Sequence, residues 1–216
     1  MAIGDHLRDV MDLYGSPSCP HTNACLLVAG EKGVDLNCHA ETDWSASGSI
    51  RGMSPLGIGP ILKDRSATNY GLIACLSYLD DKGFGPSLVH RNGVTRARMF
   101  QEMGVAAQCN VSDDASLAAA LDILDTTLGT DLGNMKGDYV CGQYTLADAC
   151  WAGVCQVAMN SGKGSAVSSR SKVNTWFAAV QSHPSTSKEA INPFSCMATK
   201  ADHDAGSMRE IRINTA

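Results

Sequence analysis

The sequence predicts a small α/β domain followed by an all-helical domain. Three observations lead there. A strand–helix–strand pattern occupies the first part, a glycine- and proline-bearing break falls at residues 81–93, and every periodic segment from about Val94 onward is helical. Residues 11–15, MDLYG, form a short apolar run ending at glycine. After Ser16–Pro20 the stretch from His21 to Lys32 reads as a helix, with Pro20 at the first helical position, where a missing N–H costs nothing. Gly30 and Gly33 close it. Val34, Leu36 and Cys38 then alternate with polar neighbours, the period-two mark of a half-buried strand. Together these make a βαβ unit with a parallel pair.

The polar stretch 41–52 leads to a third strand beginning at Pro60, Ile61 and Leu62, with room for a short fourth over Arg65–Asn69. Tyr70, Ile73, Leu76 and Leu79 share a helical face that closes this half. In the second half Met99, Met103 and Ala107 lie on one face, and Leu117, Leu121, Leu124 and Leu128 form a stripe at helical spacing. Trp151, Cys155 and Ala158 make another, as do Val173, Trp176, Phe177 and Val180, and His183-Pro184 stops the last. Residues 10–80 and 94–195 are thus the expected domains, joined through Gly83, Gly85, Pro86 and Gly93. Ser161–Ser165 reads as a loop, without the spacing of a phosphate-binding one. The tail after Cys196 reads as polar surface chain.

Composition excludes several classes. The chain has 216 residues, long enough to bury a core without disulfides or metal. Its 17 basic and 22 acidic residues give a net charge of −5, and no basic cluster is present, which argues against nucleic acid and anionic membranes as partners. No apolar run approaches the roughly 18 residues of a membrane span. The nine cysteines are odd in number, form no C-x-x-C pair and fall mostly within apolar stretches, so they read as packed thiols of a reduced, cytoplasmic protein. The N-terminal residues lack the pattern of a secretory signal. The six histidines are scattered, and no metal-ligand spacing appears.

Four segments, taken in order, resemble the cytosolic glutathione transferase superfamily. They are Leu13-Tyr14-Gly15-Ser16-Pro17-Ser18-Cys19-Pro20; Ser54-Pro55-Leu56-Gly57-Ile58-Gly59-Pro60-Ile61-Leu62, similar to the family's N-P-x-G-x-V-P-x-L; Thr145-Leu146-Ala147-Asp148 after Gly142; and Lys172–Phe177 with Pro184 downstream. The resemblance covers roughly residues 11–195. It implies a thioredoxin-like N-terminal domain joined to an all-α C-terminal domain. It further implies glutathione as co-substrate, and a small electrophile or a disulfide as the other substrate. Detoxifying conjugation or thiol transfer in the cytoplasm, and a homodimer, follow by the same analogy.

Cys19 is the leading catalytic candidate. It stands just before a helix whose N–H groups and dipole favour negative charge, a setting that lowers a thiol's pKa and populates the nucleophilic thiolate. Ser-Cys-Pro-His resembles the Cys-Pro-Phe turn of omega-class enzymes, and Ser-Pro-Ser-Cys the Ser-Pro-Gly-Ala-Cys of the beta class; both classes form a mixed disulfide with glutathione. Thr22 holds the place of a second cysteine, so an internal disulfide there is excluded. The alternative is a helix-capping cysteine without chemistry. Ser18, Ser16 and Tyr14 are rivals that could hold glutathione's thiolate by a hydroxyl, Ser18 competing with a turn role and Tyr14 with plain packing. His21 neighbours Cys19 but is expected to point to solvent. The resemblance implies that Pro60 is cis, leaving the backbone of Gly59 for the peptide of glutathione.

One departure stands out. The family's Glu-Ser or Asp-Ser pair, which holds the γ-glutamyl end, falls here on Gly71-Leu72. Asn69, with Thr68 and Ser66, is the polar residue left nearby to take that end. Losing two charge-assisted hydrogen bonds at roughly 1.5–3 kcal/mol each would weaken binding a hundredfold or more. The competing function is therefore a non-catalytic ligand-binding or protein-interaction scaffold with the same fold. Thr145 and Asp148 have capping-box spacing and a structural role. Met99, Phe100, Met103 and Gln108 would form the second-substrate wall, though their spacing fits ordinary core.

Overall fold

The computed structural model describes residues 10–40, 49–128, 130 and 137–183. Pro184, the tail, and most of the polar stretch 41–52 lie outside the described residues; Ser49–Gly52 form one turn of 3-10 helix. Four strands, β1 (Met11–Gly15), β2 (Leu36–Ala40), β3 (Ile61–Lys63) and β4 (Thr68–Tyr70), form one mixed sheet in the order β2-β1-β3-β4. β1 runs parallel to β2, with Tyr14 opposite His39, and antiparallel to β3, with Leu13 opposite Leu62. β3 and β4 pair antiparallel. The helices are α1 (Pro20–Lys32), α2 (Leu72–Lys82), α3 (Gly93–Gln108), α4 (Asp114–Leu128), α5 (Leu146–Asn160), α6 (Gly164–Ser168) and α7 (Ser171–Gln181).

Period two in β1 buries Met11, Leu13 and Gly15 and leaves Asp12 and Tyr14 on the other face. α1 is capped at its C-terminus by Gly33 at φ 61, the left-handed conformation that glycine adopts without steric penalty. One cluster of buried side chains runs from the sheet through α1 and α2 into the helices of the second half. Within it α1 packs most extensively on α5. That packing depends on Gly153. A Cβ there would run into the carbonyl oxygen of Pro20 and sit 3.2 Å from the Ala24 nitrogen.

Two polar devices hold the frame. Lys32, at the end of α1, pairs with Asp80 of α2 at 3.0 Å, both side chains 2% exposed, and also donates to the Pro86 carbonyl. Asp80 further accepts from the Ser87 hydroxyl and the Leu88 N–H. In the second half the buried Asp148 carboxylate accepts from the N–H and hydroxyl of Thr145, the Val140 N–H and the Trp176 indole, all within 3.0 Å. Thr145 and Asp148 are thus structural, as their spacing implies.

Several boundaries differ from the sequence reading. β4 starts at Thr68, later than Arg65, because Asp64 Oδ1 captures the N–H groups of Ser66 and Ala67 in a turn. α2 begins at Leu72 because Gly71, at φ 81, cannot be helical. Ser161–Ser165 is no simple loop: Gly164 starts the short α6, held where Lys163 donates to the carbonyls of Val111 and Ser112 and Val167 enters the core.

Candidate functional site

The turn between β1 and α1 is built by backbone and one asparagine. The Cys19 N–H donates to the Ser16 carbonyl at 3.0 Å. Asn23, buried one turn into α1, donates through Nδ2 to the carbonyls of Pro17 and Cys19 at 2.9 and 2.8 Å. Cys19 is the N-cap, with extended backbone and no capping bond from its own side chain. Pro20 has no N–H, and the first helical backbone bond runs from the Asn23 N–H to the Cys19 carbonyl. The N–H groups of His21 and Thr22 therefore remain as donors for an anion at this end of α1.

Opposite lies the loop before β3. Its Gly59–Pro60 peptide is cis, as the resemblance implies. Ser54 is the frame of this loop: its hydroxyl donates to the Ile58 carbonyl and accepts from the Ile58 N–H. Ser16, Cys19, Thr22, Gly57 and Gly59 line a cleft of about 130 Å³ between turn and loop. That is below the ~300–1,000 Å³ common for small-molecule sites, as suits a slot for a sulfur and an extended backbone.

Of the residues singled out from sequence, Cys19, Ser16 and Gly59 meet in this cleft. Ser18 is exposed beside it, its hydroxyl 2.9 Å from that of Ser16. Tyr14 is drawn away on the other face of β1, stacked on His39 with ring centroids 4.4 Å apart. Burial, then the nearby Asp12, pushes its phenol above the ordinary value. Asn69 sits on β4 opposite Leu62, and its buried Nδ2 has no partner among the described residues. Met99 and Met103 are core, whereas Phe100 is exposed.

His21 corrects an expectation. It does not face solvent but is half-buried, and its Nε2 donates to the Ala107 carbonyl of α3 at 3.2 Å. Burial pushes its imidazole below the ordinary 6.5, against the opposing effect of that bond. The residue tethers the cysteine-bearing helix to the second half. Thr22 was legible only as the place of an absent cysteine. It is fully buried, lines the cleft, and its Oγ1 has no partner among the described residues. Gly15 leaves room for it, since a Cβ there would run into the Thr22 hydroxyl.

The start of α2 bears out the departure noted in the sequence. The first turn carries no acidic residue and the N-cap makes no side-chain bond. Leu72 turns into the core at 7% exposure. Gly71 has φ 81 and ψ 156, a conformation essentially reserved for glycine, so a carboxylate-bearing residue would be strained there.

The architecture is shared with solved structures. The chain superposes on glutathione S-transferase III in its apo form with a TM-score of 0.66, at 22% identity over 82% of this chain and 93% of that one. The fold is that of the cytosolic glutathione transferases. A delta-class glutathione transferase of Nilaparvata lugens matches at TM-score 0.67 and 22% identity, covering 80% of this chain and 89% of that one. A maleylacetoacetate isomerase from Methylobacterium extorquens AM1, solved with bound malonate and glutathione, matches at 0.70 with 16% identity over 81% and 94%. No family model matches the sequence, and no curated relative is found for it. Among the described residues of this transferase fold, no helix is long and apolar enough to cross a membrane, and no group of three or more His, Cys, Asp or Glu is placed to hold a metal.

The cysteines differ in access. Eight are described; Cys25, Cys75, Cys141, Cys150 and Cys155 are buried, while Cys19, Cys38 and Cys109 are half-buried. Burial pushes Cys109 up to about 11, leaving about one thiol in a thousand ionised at pH 8. With Cys196 replaced by Ser, iodoacetamide at pH 8 is expected to modify Cys19 first, read by peptide mass mapping. First modification at any other cysteine, Cys38 and Cys109 included, would contradict this expectation.

Proposed function

We propose that the protein is a glutathione transferase-like enzyme of the cysteine type, with Cys19 as nucleophile and thiol transfer as its favoured reaction. The observation that carries this reading is the position of Cys19. It lies at the N-cap of α1, beside open N–H groups, in a cleft closed on the far side by the Gly59–Pro60 loop. A thiolate there attacks a disulfide, and an external thiol completes the cycle because Thr22 offers no second sulfur. Glutathione is the proposed thiol, its peptide placed against Gly59; conjugation to a small electrophile is the related activity. Ser18, exposed and bonded to Ser16, is assigned to the turn. The enzyme is assigned to the cytoplasm, in keeping with nine cysteines that form no C-x-x-C pair and fall mostly within apolar stretches. Homodimerisation is proposed along the sheet edge at β4, where Tyr70 and the following Ile73 leave apolar side chains exposed.

Reduction of a small disulfide in the presence of glutathione is the test. Cys19→Ser is expected to abolish turnover, whereas Ser18→Ala keeps at least about half. Full conjugating activity in Cys19→Ser would transfer the role to a hydroxyl. No turnover and no glutathione binding in the unaltered protein would favour the second reading, a non-catalytic scaffold, for which Gly71-Leu72 is the supporting observation.

A further inference from the structure

Resting on the proposed role of Cys19, the inference here concerns which disulfide it attacks. We propose that the cleft takes a cysteine within a polypeptide, flanked on its N-terminal side by an apolar residue, in preference to the γ-glutamyl arm of glutathione. Two ends of the site differ in kind. At the Cys19 end the Gly59 N–H and C=O have no partner among the described residues, since Ser54 bonds only the preceding Ile58. A free amide edge beside a cis proline pairs with an extended peptide of any sequence.

At the other end no group matches the ammonium of a free amino acid. The first turn of α2 has no carboxylate to meet an ammonium. The glycine conformation at Gly71 disfavours one, and Leu72 is committed to the core. Ile58 occupies the approach instead: its Cδ1 lies 3.7 Å from where a Gly71 Cβ would be, yet the residue is 44% exposed. Leu56 in the same loop is 71% exposed. An ammonium brought here would lose water against apolar surface with no carboxylate to meet it. An internal peptide presents a neutral carbonyl to the open N–H groups at the start of α2 and an apolar side chain to Ile58 and Leu56. The surface favours the internal peptide over the γ-glutamyl arm.

The chemistry balances with the parts named. The Cys19 thiolate attacks one sulfur of the peptide disulfide; the Cys19–S bond forms, the S–S bond breaks, and the second half leaves as a thiolate that takes a proton from water. An external thiol such as glutathione then attacks the mixed disulfide, its second molecule or another thiol carrying away the remaining oxidised sulfur. The substrate is reduced by two electrons and two external thiols are oxidised to a disulfide.

The test compares two probes on the full-length protein: glutathione disulfide and the homodisulfide of N-acetyl-Leu-Cys-amide. Mixed-disulfide formation at Cys19 is followed by intact mass and peptide mapping. Each rate is divided by that of the same probe with free N-acetylcysteine, which removes intrinsic differences between the disulfides. The expected result is a preference of at least tenfold for the apolar peptide, cut to threefold or less by Ile58→Glu. Equal normalised rates, or a preference for glutathione disulfide, overturn this inference while leaving the Cys19 reading standing. No adduct with either probe overturns both.

Discussion

Replacing Gly153 with Ala is expected to destabilise the protein by about 3 kcal/mol, although Ala is the better helix former by up to ~1 kcal/mol. The reason is local and steric. At this point α5 lies against the first turn of α1, and the added Cβ would meet the Pro20 carbonyl oxygen and press on the Ala24 backbone. Both obstacles are main chain, so no rotamer change relieves them; the helices must separate. At roughly 2–4 °C per kcal/mol for a chain of this size, the thermal midpoint falls by roughly 6–12 °C. The same separation moves Pro20, and the alkylation rate of Cys19 should change with it. Gly104→Ala is the control: α3 has open space there, and the substitution should stabilise by roughly 0.5–1 kcal/mol. A neutral Gly153→Ala would mean that the two helices do not touch as described.

Removing the ammonium of Lys32 is expected to be as costly. Lys32→Met leaves the Asp80 carboxylate buried with only the Leu88 N–H and the Ser87 hydroxyl, and loss of one partner of a buried pair costs about 3–5 kcal/mol. Urea denaturation at pH 7 measures it. The pH dependence gives a second reading. Burial pushes the Asp80 carboxyl up, but the Leu88 N–H, the Ser87 hydroxyl and Lys32 together outweigh it and hold it below its ordinary value of 3.8. A carboxyl lowered in the folded state contributes stability above its unfolded pKa and loses it as pH falls through the folded one. The native protein should therefore lose this contribution only below about pH 4. In Lys32→Met the two contributions of the ammonium are gone and the folded pKa moves up toward the unfolded one, so this group adds less to the loss of stability on acidification than in the native protein. Parallel pH profiles for the two proteins would show that the pair carries no such linkage.

Much of this was legible in the residues, and the rest had physical reasons to be hidden. The β1–α1 turn announced itself because proline, glycine and period two act locally, within a few residues. The cis Gly59–Pro60 peptide and the bare start of α2 were legible by resemblance, the first from the Ser54–Leu62 segment and the second from Gly71-Leu72 standing where the family has its Glu-Ser or Asp-Ser pair. The burial of His21 was not, because it is imposed by Ala107, 86 residues away on another helix. α6 was missed because Ser-Gly-Lys-Gly-Ser has little helical propensity of its own and is fixed by Lys163 reaching to Val111 and Ser112. The part played by Asn23 and Thr22 lay one helical turn beyond the cysteine, where polar residues in a buried face are the signal to look for.

The missing side chain of Gly153 has a consequence for how such a protein can change over generations. The turn that presents Cys19 is seated partly on a helix encoded more than a hundred residues later. The second half is therefore not a freely exchangeable module: a graft that brought any larger residue to that point would shift the nucleophile itself. Diversification is steered instead toward the loop of Leu56 and Ile58, whose side chains stand clear of the shared core and can be altered one at a time.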